Sequence, residues 1–187
     1  MQRLFELFAT LLDYPSSTLA DAAKECATLL TPQNSEASNL LRDFQELAAS
    51  TDLGRMEEIY TGFFELNAVS HPYVGYHLFG ETYKRSVFLL GLKERYAAHN
   101  FAHGAELADH LVVMLRFIAV SQDAELVGEL VRDALLPALE KMSGEPAENE
   151  PAEEEPVVHQ HGRAGYQQLL RALQLSLQAI PQAMIVA

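Results

Sequence analysis

Apolar residues recur every three to four positions along most of this chain, and a few sharp breaks divide the recurrence into helix-length runs. Leu4, Leu7, Phe8, Leu11 and Leu12 predict a first helix. It ends at Tyr14-Pro15, because proline cannot continue a helix and restricts the residue before it. Ser16 or Ser17 can cap a second helix, whose apolar positions Leu19, Ala22, Ala23, Cys26, Leu29 and Leu30 face one way as far as Thr31-Pro32. A third run covers 35–49 around Leu40, Leu41, Phe44 and Leu47. Asp52 can cap a fourth through Met56, Ile59, Tyr60, Phe63 and Phe64, which fades at Asn67. Residues 70–80 contain Pro72, Gly75 and Gly80 without helical period and predict an ordered loop.

The second half continues in the same way. A fifth helix over 81–99 should bury Val87, Phe88, Leu90, Leu92 and Tyr96 and stop at Asn100. A sixth should start at Leu107 or Ala108 and run to Ser121. Asp123 can open a seventh as far as Met142, kinked where Pro137 removes a backbone donor. A last helix is expected over 163–179, ended by Pro181. No stretch reads as a strand, so the expected fold is all-α, a single-domain helical bundle of seven to eight helices. Its parts are a core over 1–142, an acidic Pro/Glu-rich mobile linker over 143–160, and a C-terminal helix within 161–187 docked on the core. A connection of that length permits either a monomer or a dimer exchanging its last helix.

Charge narrows the partners. A net charge of −13 disfavours nucleic acid, whose phosphates need clustered Lys and Arg, and favours a basic partner. Six of the carboxylates, Glu145 to Glu155, sit in the linker, which accounts for less than half of the excess. No apolar run approaches the length of a membrane span. Glu6 interrupts the apolar start and no small-residue cleavage site follows, so a cytoplasmic protein that keeps its N-terminus is expected. Cys26, the sole cysteine, falls on a helical apolar face and reads as a buried thiol.

The motifs of ordinary enzymes are missing. There is no GxSxG elbow, no GxGxxG and no phosphate loop, and Cys26 has no histidine near it in sequence, so no catalytic activity and no cofactor of its own are expected. His99, His103, Glu106 and His110 are spaced so that one continuous helix would carry all four as metal donors, which keeps a helical-bundle metalloprotein open as an alternative. Against it, Asn100 and Gly104 predict a helix break within the group. His159 and His161 read as solvated. Glu106 and Asp109 suit a helix start on electrostatic grounds alone. They equally suit a site in which Asp109 and His110 project toward the Tyr-rich loop and a carboxylate meets the arginine of a bound peptide. Tyr60, Phe63 and Phe64 have core spacing. Tyr73, Tyr76, His77 and Phe79 either plug a core gap or line a groove.

Four stretches carry a family resemblance: EEIYTGFFEL, HPYVGYHLFGE, YKRSVFLLGLKERYAAHNF and ELADHLVVMLRFIA. They are similar to the TorD/DmsD/NarJ family of cytoplasmic assembly chaperones for molybdenum-containing oxidoreductases. The likeness runs from the opening RLFELFATLLDYP to about Met142, and more loosely over the last helix. It implies a partner, the N-terminal leader of an apo catalytic subunit, held while the molybdopterin cofactor is inserted and then released for assembly or twin-arginine export. It implies peptide-binding roles for Asp109 and His110 with Glu106, then Tyr60, Phe63 and Phe64, then Tyr73, Tyr76 and His77. On that reading Asp109→Ala should weaken the complex without unfolding the chain. A stable accessory subunit of an oxidoreductase complex is the other role the resemblance leaves open. Ala108 stands where many members have proline, which loosens the subfamily assignment more than the family.

Overall fold

The computed structural model describes residues 1–66, 70–143 and 157–179, side chains of 157–161 excepted. The described elements are helices α1 (Gln2–Leu11), α2 (Leu19–Leu30), α3 (Ser35–Ser50), α4 (Leu53–Phe64), α5 (Val74–Phe79), α6 (Tyr83–Ala98), α7 (Leu111–Val120), α8 (Ala124–Glu129), a π-helical segment (Leu130–Leu135), α9 (Leu136–Met142) and α10 (Val157–Gln178). This is the all-α bundle the periodicity predicts. Asn34, Asp52 and Asp123 cap α3, α4 and α8, each side-chain oxygen accepting a first-turn amide at 2.9–3.0 Å.

Some boundaries and faces differ from expectation, for physical reasons. The loop expected over 70–80 contains the short α5. Neither Ser16 nor Ser17 is the cap residue of α2, which is Thr18; the Thr18 amide instead donates to Ser16 Oγ. The distortion expected at Pro137 lies just upstream as the π-helical segment. There the Leu136 amide reaches back to Val131, and the wider turn precedes a residue that can donate nothing. Leu29, Val87 and Leu90, expected inside, are exposed. α10 begins at Val157 rather than Arg163. The expected linker falls mostly on 144–156 and the Pro181 stop on 180–187, both outside the described residues, as are the side chains of His159 and His161.

α7 is the axis of the core. Leu111 to Leu115 and Phe117 to Ala119 are all buried, Arg116 and Val120 are exposed, and a helix apolar over most of its circumference has to be largely surrounded. α1 lies along it, α2 joins α1 to α3, and α10 covers α3, α4 and α9. Cys26 is buried as expected, and burial pushes its thiol up to about 12. α6 ends as foreseen at Asn100, whose φ of 54° is left-handed. The Phe101 amide donates to the Tyr96 carbonyl and the Asn100 amide to that of Ala97, while the rings of Tyr96 and Phe101 pack at 5.2 Å, which makes a complete Schellman stop.

Tyr60, Phe63 and Phe64 are buried, and their neighbour is Tyr166 of α10, with ring centroids 5.8, 5.8 and 5.4 Å away. Phe44 adds a fourth ring at 5.3 Å. Two glycines let α10 come this close: a Cβ on Gly162 would lie 2.6 Å from Ile59 side-chain atoms, and one on Gly165 2.4 Å from Leu47 Cδ2. Among the described residues the Tyr166 hydroxyl is buried without a hydrogen-bond partner. The ring therefore stabilises and the hydroxyl does not. Tyr166→Ala should cost about 3–5 kcal/mol in denaturant unfolding, whereas Tyr166→Phe should be neutral or stabilising because it deletes an unsatisfied buried group. A large loss in the Phe variant would show that the hydroxyl has a partner.

Candidate functional site

The residues singled out around position 109 do come together, but in a geometry that periodicity could not supply. α7 starts at Leu111, not at 107 or 108. Residues 107–110 form a turn closed by the His110 amide on the Leu107 carbonyl at 3.0 Å. At His110 the backbone is extended and pairs with the loop before α5. The Val74 amide donates to the Asp109 carbonyl and the Leu111 amide to the Pro72 carbonyl, both at 2.8 Å, around an antiparallel bridge between Tyr73 and His110. One of the orphan donors at the start of α7 is thereby satisfied by the loop. Glu106 and Asp109 consequently precede the helix and are not first-turn acids.

Asp109 is fully buried and already paired. Arg85 of α6 donates from Nε to Asp109 Oδ2 at 2.9 Å and from Nη2 to Oδ1 at 3.5 Å. The guanidinium carbon lies 5.4 Å from the Tyr73 ring centre and 5.9 Å from that of Tyr76, so two aromatic faces share the cation. Gly75 makes room for this: a Cβ there would lie 2.6 Å from Asp109 Oδ2, 3.0 Å from Phe88 and 3.2 Å from Arg85. Tyr96 closes the back by donating its hydroxyl to the Ala108 carbonyl at 2.8 Å. The carboxylate expected to meet a guest arginine thus holds the protein's own. Arg85 and Gly75 were not singled out from sequence. The available signal was an arginine in the same helical register as Leu92 and Tyr96, the buried face of α6.

His110 is the N-cap of α7, its Nδ1 accepting the Val112 amide at 3.3 Å, which leaves Nε2–H as the donor of the neutral ring. Its ring packs edge-on against Tyr73 at 5.5 Å. Burial lowers its pKa, against the opposing pull of Glu106, Asp13 and Asp109. Burial likewise raises Tyr73, reinforced by Glu106, Asp109 and Glu65, and raises Tyr60, reinforced by Asp13, Glu65 and Glu106. Asp13, Glu65 and Glu106 come from three separate segments and all bear on Tyr60. Asp13 is bonded to Arg116, and Tyr14 beside it packs on Tyr60 at 5.6 Å. Glu65 and Glu106 are exposed. His77 faces another way: its Nε2 donates to the His71 carbonyl at 2.7 Å and its own carbonyl accepts Lys141 at 2.6 Å, pinning α5 to α9.

The four possible metal donors are dispersed. Asn100 and Gly104 are both left-handed, so no single helix carries the set. His99 donates to the Arg95 carbonyl, His103 to that of Glu106, and His110 caps α7. Among the described residues no group of three or more His, Cys, Asp or Glu is arranged to hold a metal, and no helix is long and apolar enough to cross a membrane. A cleft of about 180 Å³ lies at the far end of α7, between α1 and α8, lined by Phe5, Ile118, Val127 and Val131 among others. Its lining includes none of the site residues above and no charged side chain among the described residues.

Comparison with known proteins adds the following. The family model described as nitrate reductase delta subunit matches residues 28–147. A solved structure described as a redox enzyme maturation protein from Archaeoglobus fulgidus has the same fold at a TM-score of 0.54 and 20% identity, covering 88% of this chain and 91% of its own. No curated protein matches the chain.

Two outcomes follow from the geometry. Asp109→Ala should cost about 3–5 kcal/mol of folding stability, because it strands a mostly buried guanidinium; a variant as stable as the parent in urea would contradict the pairing. His77 and His110 are both held below the ordinary imidazole value of 6.5 by burial. Below that pH the unfolded chain takes up protons the folded one resists, so stability should fall from pH 7.5 to 5.5 until the folded imidazoles titrate. Melting temperatures should show this decline, and His77→Asn with His110→Asn should flatten it.

Proposed function

The chain belongs to the nitrate reductase delta subunit family, and on that footing we propose that it is a maturation chaperone binding the N-terminal leader of an apo molybdenum-containing oxidoreductase subunit in the cytoplasm. The observation that carries the reading is the Tyr73–His110 bridge with exposed Glu65 and Glu106 beside it. A leader with basic side chains followed by an apolar stretch needs carboxylates next to rings. Glu106 and Glu65 receive the cationic side chains, His110 Nε2–H donates to a peptide carbonyl, and Tyr73, Tyr76 and the exposed Tyr14 take the apolar part. Asp109 serves indirectly, by holding Arg85 and through it the two tyrosines. Tyr60, Phe63 and Phe64 act as the floor beneath.

The mechanism is occupancy and timing without a covalent step. A leader held on this face is kept from export and from premature folding while the client acquires its molybdopterin cofactor. Because the contacts are rim charges, exchange is fast and release needs no chemical trigger. The test is a binding titration with leader peptides from the catalytic subunits of the organism's own molybdenum oxidoreductases. The parent should bind one of them with an affinity that falls as salt is raised. Glu106→Gln with Glu65→Gln should weaken it about tenfold or more, the loss of one or two charge-assisted contacts, while the melting temperature holds. Equal binding by parent and double variant, or no leader bound at all, would reject the reading.

A further inference from the structure

α6 is apolar on two opposite sides. Its inner side carries Arg85, Leu92 and Tyr96 against the bundle. Its outer side carries Tyr83, Val87 and Leu90, which are 83%, 51% and 58% exposed. Isolated exposed apolar residues need no explanation, but these are consecutive members of one stripe. The stripe continues through Glu94 and Ala97, both exposed, so the spacing is four, three, four, three. Its large apolar members, Tyr83 to Leu90, have the four-three spacing of a face that meets another helix, over one heptad or roughly 10 Å. The positions flanking it include Lys84 and Lys93, both exposed. Of the four basic residues of α6, Arg85 is paired with Asp109 and Arg95 with Glu129, so Lys84 and Lys93 are the cations left to the outer face, beside the single carboxylate Glu94, in a protein whose net charge is −13. Two lysines against one glutamate leave this face with a single net positive charge, opposite in sign to that of the molecule.

We propose that the outer face of α6 docks an acidic amphipathic helix of another protein, with apolar residues at the seam, carboxylates facing Lys84 and Lys93, and one basic residue opposite Glu94. The charge pattern selects this occupant. A second copy of the same face would crowd four lysines along one seam and bury two glutamates in its centre, an arrangement that disfavours self-association. The surface is separate from the leader face, since Arg85 points from the same helix to the other side. A chaperone with both could hold a leader and a folded acidic partner at once.

The probe is a fluorescein-labelled, hydrocarbon-stapled three-heptad helix with Leu in the seam, Glu at the flanks and one Lys replacing a seam Leu, used beside its charge-reversed counterpart. Anisotropy titrations with the full chain should give at least tenfold tighter binding of the acidic helix. Val87→Ser with Leu90→Ser should abolish it, and Lys84→Glu with Lys93→Glu should invert the preference between the two helices. Glu106→Gln with Glu65→Gln should leave it unchanged, which separates this surface from the leader site. All substituted side chains are exposed, and thermal melts confirm folding. Equal binding of both helices, or insensitivity to the α6 variants, overturns the proposal. It is equally overturned if sedimentation velocity shows a dimer that Val87→Ser with Leu90→Ser dissociates, since the occupant is then a second copy. Tighter probe binding after Glu153→Gln, Glu154→Gln and Glu155→Gln would make the chain's own acidic segment the occupant and overturn it too.

Discussion

The buried pair between Arg85 and Asp109 is the constraint on which the candidate site depends. A carboxylate with no exposure is tolerable only with a partner and with its remaining acceptor capacity occupied. Meeting that demand fixes the rest. Arg85 must lie on the inner side of α6, Gly75 must lack a side chain so that α5 can pass over the pair, and the chain must turn at Asp109 before α7 begins. Tyr73 and Tyr76 are held by the same cation, and the bridge between Tyr73 and His110 is a consequence of that placement. An ion pair of this kind adds little net stability compared with an apolar substitute, yet losing one member is costly. It specifies geometry more than it stabilises the fold.

Beneath the pair, the aromatic residues have a scaffolding task. Tyr60, Phe63 and Phe64 are committed to Tyr166, and Gly162 and Gly165 allow that contact by bringing α10 within reach of α3 and α4. The site is accordingly layered, with rings as floor, a buried ion pair as clamp, and carboxylates at the rim. The layers differ in what they tolerate. Rim residues contact solvent and can change with little effect on the fold. The floor and clamp are shared with the core, and a substitution in either shifts the site by shifting the bundle.

Charge is distributed to match. Carboxylates gather round the Tyr73–His110 face, while the outer side of α6 is the basic exception. One helix separates the two fields, contributing Arg85 to the first and Lys84 and Lys93 to the second. In the proposed arrangement, partners of opposite sign approach opposite sides without competing.

Much of the fold was legible along the chain. Period, proline stops and side-chain caps located the helices, and Asp52, Asp123 and Asn100 acted as their residue types predict, because those signals are local. The rings near position 60, the Tyr-rich loop and the acid–histidine pair were recognisable as one neighbourhood from composition and resemblance. Their division of labour was not. Nothing in the local sequence of Asp109 says that its partner lies 24 residues earlier in the chain, or that a glycine in a third element makes the approach possible. Val87 and Leu90 have the same apolar character as Leu92, and only the direction from which the bundle meets α6 puts them outside. Sequence by itself determined the helices and the residue types at the site, since both follow from short-range backbone and side-chain physics. Tertiary structure decided which charge is consumed internally and which remains free to bind, because pairing and burial depend on contacts between segments distant in the chain.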